Sequence, residues 1–117
     1  MKILYLEDNR QEAALVSRYM QTTPHAFVLA STLDEAREAT VSSPELIMVD
    51  LVLGHTRDGY KFIRELRAQG YEQPIIAVTG LTAPKDLQEC RQIGADDVLV
   101  KPFTINQLAD VIHQYAS

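Results

Sequence analysis

Three acids, a hydroxyl and an amine stand directly after short apolar runs in this chain. Ile3-Leu4-Tyr5-Leu6 leads into Glu7-Asp8, Leu46-Ile47-Met48-Val49 into Asp50, Ile75-Ile76-Ala77-Val78 into Thr79, and Val98-Leu99-Val100 into Lys101. If those runs are parallel strands, all five groups meet at one sheet edge. Gathered carboxylates repel: two unit charges about 4 Å apart cost roughly 4 kcal/mol at an effective dielectric of 20. A cation is therefore expected. Mg²⁺ suits all-oxygen ligation and keeps several waters, so two carboxylates and a backbone carbonyl suffice; Mn²⁺ would bind similarly. Lys101 and Thr79 can hold phosphoryl oxygens that the metal does not. These are the parts of a phosphoryl-transfer site, in which an aspartate can itself be the nucleophile and form an aspartyl phosphate. Asp50 ends the third and most central run and is the expected acceptor.

Strands and helices must alternate for this edge to form. Val, Ile and Leu crowd the runs near 3–6, 27–30, 46–49, 75–78 and 98–100, as strands buried on both faces require. Helical spacing fills the intervals. A stripe through Ala13, Ala14, Leu15, Val16, Tyr19 and Met20 predicts a helix over about 9–21, broken at Thr23-Pro24. Thr32 is placed to cap a second helix, with Glu35 as its capping-box partner, running to about Val41. A third follows Asp58-Gly59 with Phe62, Ile63 and Leu66 on one face and ends near Gly70. The fourth starts at Pro84 and stops at Gly94, a left-handed cap. Thr104 and Gln107 begin the fifth, whose Leu108, Val111 and Ile112 face inward. Five such units predict a doubly wound α/β fold with a parallel sheet, helices on both faces and a ligand site outside the carboxyl ends of the strands.

The 117 residues suit a single domain over 1–117. A net charge of −5 opposes direct binding to nucleic acid or anionic lipid. The lone cysteine, Cys90, permits neither an internal disulfide nor a thiolate metal cage. No apolar stretch nears the roughly 20 residues of a membrane span, and the start has no signal-peptide core, so a cytoplasmic protein is expected. His25, His55 and His113 are scattered without ligand spacing and read as surface residues.

Taken together, Glu7-Asp8-Asn9, Asp50, Thr79-Gly80 and the stretch Gly94-Ala95-Asp96-Asp97-Val98-Leu99-Val100-Lys101-Pro102-Phe103 resemble the receiver domains of two-component response regulators, of the chemotaxis-regulator type. The likeness covers essentially the whole chain. It implies a flavodoxin-like (βα)5 fold with strand order 2-1-3-4-5. By the same resemblance Asp50 is the phosphoacceptor, Asp8 a direct Mg²⁺ ligand, Glu7 a ligand acting through water, and Val52 a ligand through its main-chain carbonyl. Thr79 and the Gly80 N–H bind the phosphoryl group, Lys101 pairs with it, and the Lys101-Pro102 bond is cis. The implied partners are a histidine kinase or histidine phosphotransfer protein and a downstream protein effector, with a phosphorylation-dependent homodimer as a further form of output. Such a protein promotes its own phosphorylation and dephosphorylation and is not a turnover enzyme. Output is expected to reside in another chain or another part of the protein.

Three departures accompany the likeness. Val98 stands where receivers usually carry Tyr or Phe, so no ring swings there, and the readout is expected to run through the loops after Asp50 and Thr79. Gly54 replaces a common proline, and His55-Thr56-Arg57 lengthen the loop, which predicts mobility. Val52 and Leu81, two residues beyond Asp50 and Thr79, are apolar and cannot position an attacking water, which predicts a long-lived phosphoryl group. The start of the first helix, Asn9-Arg10-Gln11-Glu12, reads equally as a solvated turn and as a phosphodonor-docking surface.

Other functions are weaker fits. An aspartyl-phosphate hydrolase needs a second acid where Val52 stands, and Glu7-Asp8 would repel the phosphate of a flavin nucleotide. The remaining alternative is a docking or dimerisation module of receiver fold that works without phosphorylation.

Overall fold

Every strand of the computed structural model, which describes residues 1–116, ends where the sequence changes from apolar to polar. The order is β1 (Lys2–Leu6), α1 (Arg10–Met20), β2 (Ala26–Ala30), α2 (Leu33–Ala39), a 3-10 turn (Thr40–Ser42), β3 (Leu46–Asp50), α3 (Asp58–Ala68), β4 (Ile75–Thr79), α4 (Pro84–Ile93), β5 (Asp97–Val100) and α5 (Ile105–Tyr115). All pairings are parallel and the sheet runs β2-β1-β3-β4-β5, the expected order.

Side chains alternate across a strand, so the sheet divides its apolar residues between two layers. Ile3, Tyr5, Met48, Val78 and Leu99 pack with Val16 and Met20 of α1 and Leu108 and Ile112 of α5. On the other face Leu4, Leu6, Val49, Ile75 and Ala77 pack with Phe62, Ile63 and Leu66 of α3 and Cys90 and Ile93 of α4. Cys90 is a buried packing residue, and burial pushes its thiol up. β2 departs from the expectation of strands buried on both faces. It is an edge strand whose Val28 and Leu29 remain more than a third exposed.

Helix ends follow local chemistry. Asn9 caps α1 by accepting from the N–H groups of Gln11 and Glu12. Thr104 and Gln107 form a reciprocal capping box at α5. The second helix differs from expectation: Thr32 accepts from the Glu35 N–H, but the Glu35 carboxylate reaches back to Ser31. That helix also gives way to the 3-10 turn at Thr40 before the expected end at Val41. Gly94 closes α4 with φ +113°, a left-handed geometry that favours glycine.

Candidate functional site

Strand register decides which groups meet. Leu6 lies beside Val49, Asp50 beside Val78 and Thr79 beside Val100, so Glu7, Asp50, Thr79 and Lys101 rise together at the carboxyl edge. Parity then separates them. Glu7, Asp50 and Lys101 share the face of Tyr5, Met48 and Leu99 that α1 covers, whereas Thr79 shares the opposite face with Ile75 and Ala77. A backbone bond from the Lys101 N–H to the Thr79 carbonyl, 2.8 Å, ties the last two strand ends together. The Lys101-Pro102 peptide is cis, as the resemblance implies.

The Lys101 ammonium is the hub. Its Nζ donates to Glu7 Oε2 at 2.9 Å, to Glu12 Oε2 at 2.8 Å and to Asp50 Oδ2 at 3.0 Å. An ammonium has three N–H donors, and all three are used. Burial alone would lower its pKa, but the hydrogen bonds to Glu12, Glu7 and Asp50 outweigh it and hold the group above the ordinary lysine range. Lys101 is therefore a fixed cation.

Glu7 is fully buried, yet it is well supplied with donors. The Tyr5 hydroxyl reaches Oε2 at 3.0 Å, and the Asn9 N–H reaches Oε1 at 2.9 Å. Burial raises its carboxyl above the usual range even so. Burial and the neighbouring Glu7 likewise push the Tyr5 phenol far up, so it remains a proton donor. Asp8 stays exposed at the rim.

One carboxylate oxygen from each of Glu7, Asp8 and Asp50 lies within 4.8 Å of the others, the three acids expected to face a metal. These hard oxygen donors, two of them bonded to the single Lys101 ammonium, fit a small divalent cation. They open into a cleft of about 350 Å³ that Glu12, Val52 and Gly54 help to line. An adjoining cleft of about 310 Å³ is lined by Asp50, Val52, Thr79, Gly80, Leu81 and Lys101. Thr79 Oγ1 accepts from the Leu81 N–H at 3.0 Å, and Asp50 Oδ1 is approached by the Val52 N–H at 3.4 Å. The structure thus brings Glu7, Asp8, Asp50, Val52, Thr79, Gly80 and Lys101 to two adjoining clefts at one sheet edge.

Glu12, in the turn that reads from sequence equally as solvated or as a phosphodonor-docking surface, is bound to the central lysine. A signal was available: Glu12, Val16 and Met20 follow i, i+4 spacing, so this acid continues the buried stripe of α1 up to the strand ends. The loop after Asp50 is also tied more tightly than its glycine suggests. With Gly54 at φ +60°, Leu53 and Thr56 exchange backbone hydrogen bonds of 3.1 and 3.0 Å. Val98 is half-buried against the α3–α4 layer, beside an open cleft of about 230 Å³ shared with Leu87, Arg91 and Val100.

A family model described as the response regulator receiver domain matches residues 3–113. This chain belongs to that family. The receiver is 31% identical over 108 residues to the transcriptional regulatory protein RprY of Bacteroides fragilis, a match that covers 92% of this chain and 46% of that protein. It spans about half the length of the curated relatives it matches. Among solved structures it resembles the Vibrio cholerae chemotaxis protein CheY4, with TM-score 0.89, 26% identity and 97% coverage of both chains. It also resembles the receiver domain of sensor histidine kinase PA1611 from Pseudomonas aeruginosa, which carries a magnesium ion coordinated in its active site cleft. That likeness has TM-score 0.84, 29% identity and covers 97% of this receiver and 95% of that chain. No helix among the described residues is long and apolar enough to cross a membrane.

Proposed function

We propose that this receiver, acting as one unit over residues 1–117, takes a phosphoryl group onto Asp50 and changes its protein contacts in response. The observation that carries this reading is the cluster of Glu7, Asp8 and Asp50, two of which bond Lys101, with Thr79 and Gly80 across the adjoining cleft. Asp50 Oδ1, less engaged than Oδ2, is the nucleophile. It attacks phosphorus in a phosphohistidine, the P–N bond breaks, and the histidine departs with a proton. Lys101 neutralises charge on the transferring group, while the Thr79 hydroxyl and Gly80 N–H bind its oxygens. Asp8, Asp50 and the Val52 carbonyl would hold Mg²⁺, with Glu7 acting through water, and Mn²⁺ would substitute. The bound metal would supply positive charge to the phosphoryl oxygens.

The donor in this reading is a cytoplasmic histidine kinase or phosphotransfer protein, and the receiver of the signal is a protein effector or a second receiver. The protein does not turn over a substrate of its own. Val98 sustains a second reading, docking independent of phosphorylation, because a switch ring is lacking at that position. Incubation with Mg²⁺ and a small phosphodonor, followed by intact mass, separates the two. One phosphoryl mass gained by the wild type and lost in Asp50→Asn supports the switch; no gain in either supports the docking module.

A further inference from the structure

We propose that Glu12 is an internal stand-in for the phosphoryl group: it occupies the Lys101 N–H that the phosphoryl takes, and so sets how tightly the site holds phosphate. The inference rests on the phosphoacceptor reading of Asp50. Lys101 has three donors and all three are engaged, so an added phosphoryl oxygen gains one only by displacing a carboxylate. The three acceptors are not equally held. Glu7 is inaccessible to solvent and also takes the Tyr5 hydroxyl and the Asn9 N–H. Asp50 carries the incoming group and its side chain is 8% exposed. Glu12 has a side chain 37% exposed, and among the described residues no other donor reaches its carboxylate.

Release therefore costs least at Glu12. A departing Glu7 carboxylate would leave the buried Tyr5 hydroxyl and the Asn9 N–H unmatched, whereas Glu12 can turn toward water and be rehydrated. Its position fits the role, because it lines the same cleft as Asp8, Asp50 and Val52. In the resting protein Glu12 completes the coordination of the ammonium. In the phosphorylated protein it yields that place and swings clear, which also re-forms the rim of α1 beside the site.

Fluoroberyllate with Mg²⁺, a mimic of the phosphoryl group, tests this by titration into wild type, Glu12→Gln and Glu12→Asp. Glutamine keeps the length and removes the charge; aspartate keeps the charge but is too short to bridge to Lys101. Loss of one part-exposed competitor should tighten fluoroberyllate by about fivefold in both variants. Tightening in Glu12→Gln alone would reduce the effect to the field of a nearby charge and overturn the proposal. Weaker binding in either variant would make Glu12 a support for Lys101 and also overturn it. Wild-type affinity in both variants would defeat the stand-in role alone, whereas failure of all three proteins to bind would defeat the phosphoacceptor reading beneath it.

Discussion

Arg57 and Glu89 join the loop after Asp50 to α4, with Nη2 of the arginine 2.6 Å from Oε2 of the glutamate. The same guanidinium sits 3.7 Å above the Tyr60 ring, and Arg64 approaches Glu89 at 3.8 Å. These contacts link the loop after Asp50 to α4 without involving Val98. Glu89→Gln should change stability by no more than about 1 kcal/mol, as for an exposed pair. It should nevertheless diminish the NMR shifts that fluoroberyllate causes over residues 84–93. Undiminished shifts there would remove this ion pair from the readout.

Val52 and Leu81 form apolar walls on the two sides of the cleft that Asp50 shares with Thr79. Neither can orient a water for in-line attack on the phosphoryl group. Replacing Val52 with Asn introduces an amide that can, and should shorten the aspartyl-phosphate lifetime by roughly tenfold, equivalent to about 1.4 kcal/mol of barrier. Decay of the phosphorylated mass with time measures this. An unchanged lifetime would show that the walls are not what protects the phosphoryl group.

Tyr5 supports the site from within the core. Its hydroxyl bonds the buried Glu7 carboxylate, while its ring fills the layer between the sheet and α1. Tyr5→Phe keeps the ring and leaves Glu7 one donor short, which should destabilise the fold by about 1–3 kcal/mol in urea unfolding. Mg²⁺ titration of the same variant should show weaker binding, because Glu7 is then free to shift. Full stability and unaltered Mg²⁺ affinity would make the contact incidental.

Gly59, in the first turn of α3, packs directly against the backbone at the end of β3. A Cβ there would lie 2.5 Å from Leu51 Cα and 2.7 Å from the Asp50 carbonyl carbon. Alanine gains about 1 kcal/mol of helix propensity over glycine. Backbone collision should outweigh that gain, so Gly59→Ala should lose at least about 1–3 kcal/mol of stability in chemical unfolding. A stabilised variant would contradict the packing described for this turn.

Much of this architecture is legible in the sequence, for identifiable reasons. Buried parallel strands must be continuously apolar, so the polar residue after each run marks its end, and register follows from packing those ends level. The five groups from Glu7 to Lys101 could be placed on that basis. Glu12 was less visible because its role depends on where α1 crosses the sheet, a tertiary quantity that a helical stripe only hints at. The exposure of β2 was hidden for a similar reason: Phe27, Val28 and Leu29 read as a buried strand, and only sheet order makes them an edge. The Arg57–Glu89 pair spans 32 positions and had no local signal at all.

Phosphorylation of Asp50 itself is the claim on which the rest depends. Borohydride reduces an acyl phosphate on aspartate to homoserine, which marks the acceptor in a peptide map. After treatment with Mg²⁺ and a small phosphodonor, the peptide from Glu38 to Arg57 should carry homoserine at position 50, and omission of Mg²⁺ should abolish it. Homoserine at position 8, at another aspartate, or nowhere in the chain would contradict the account.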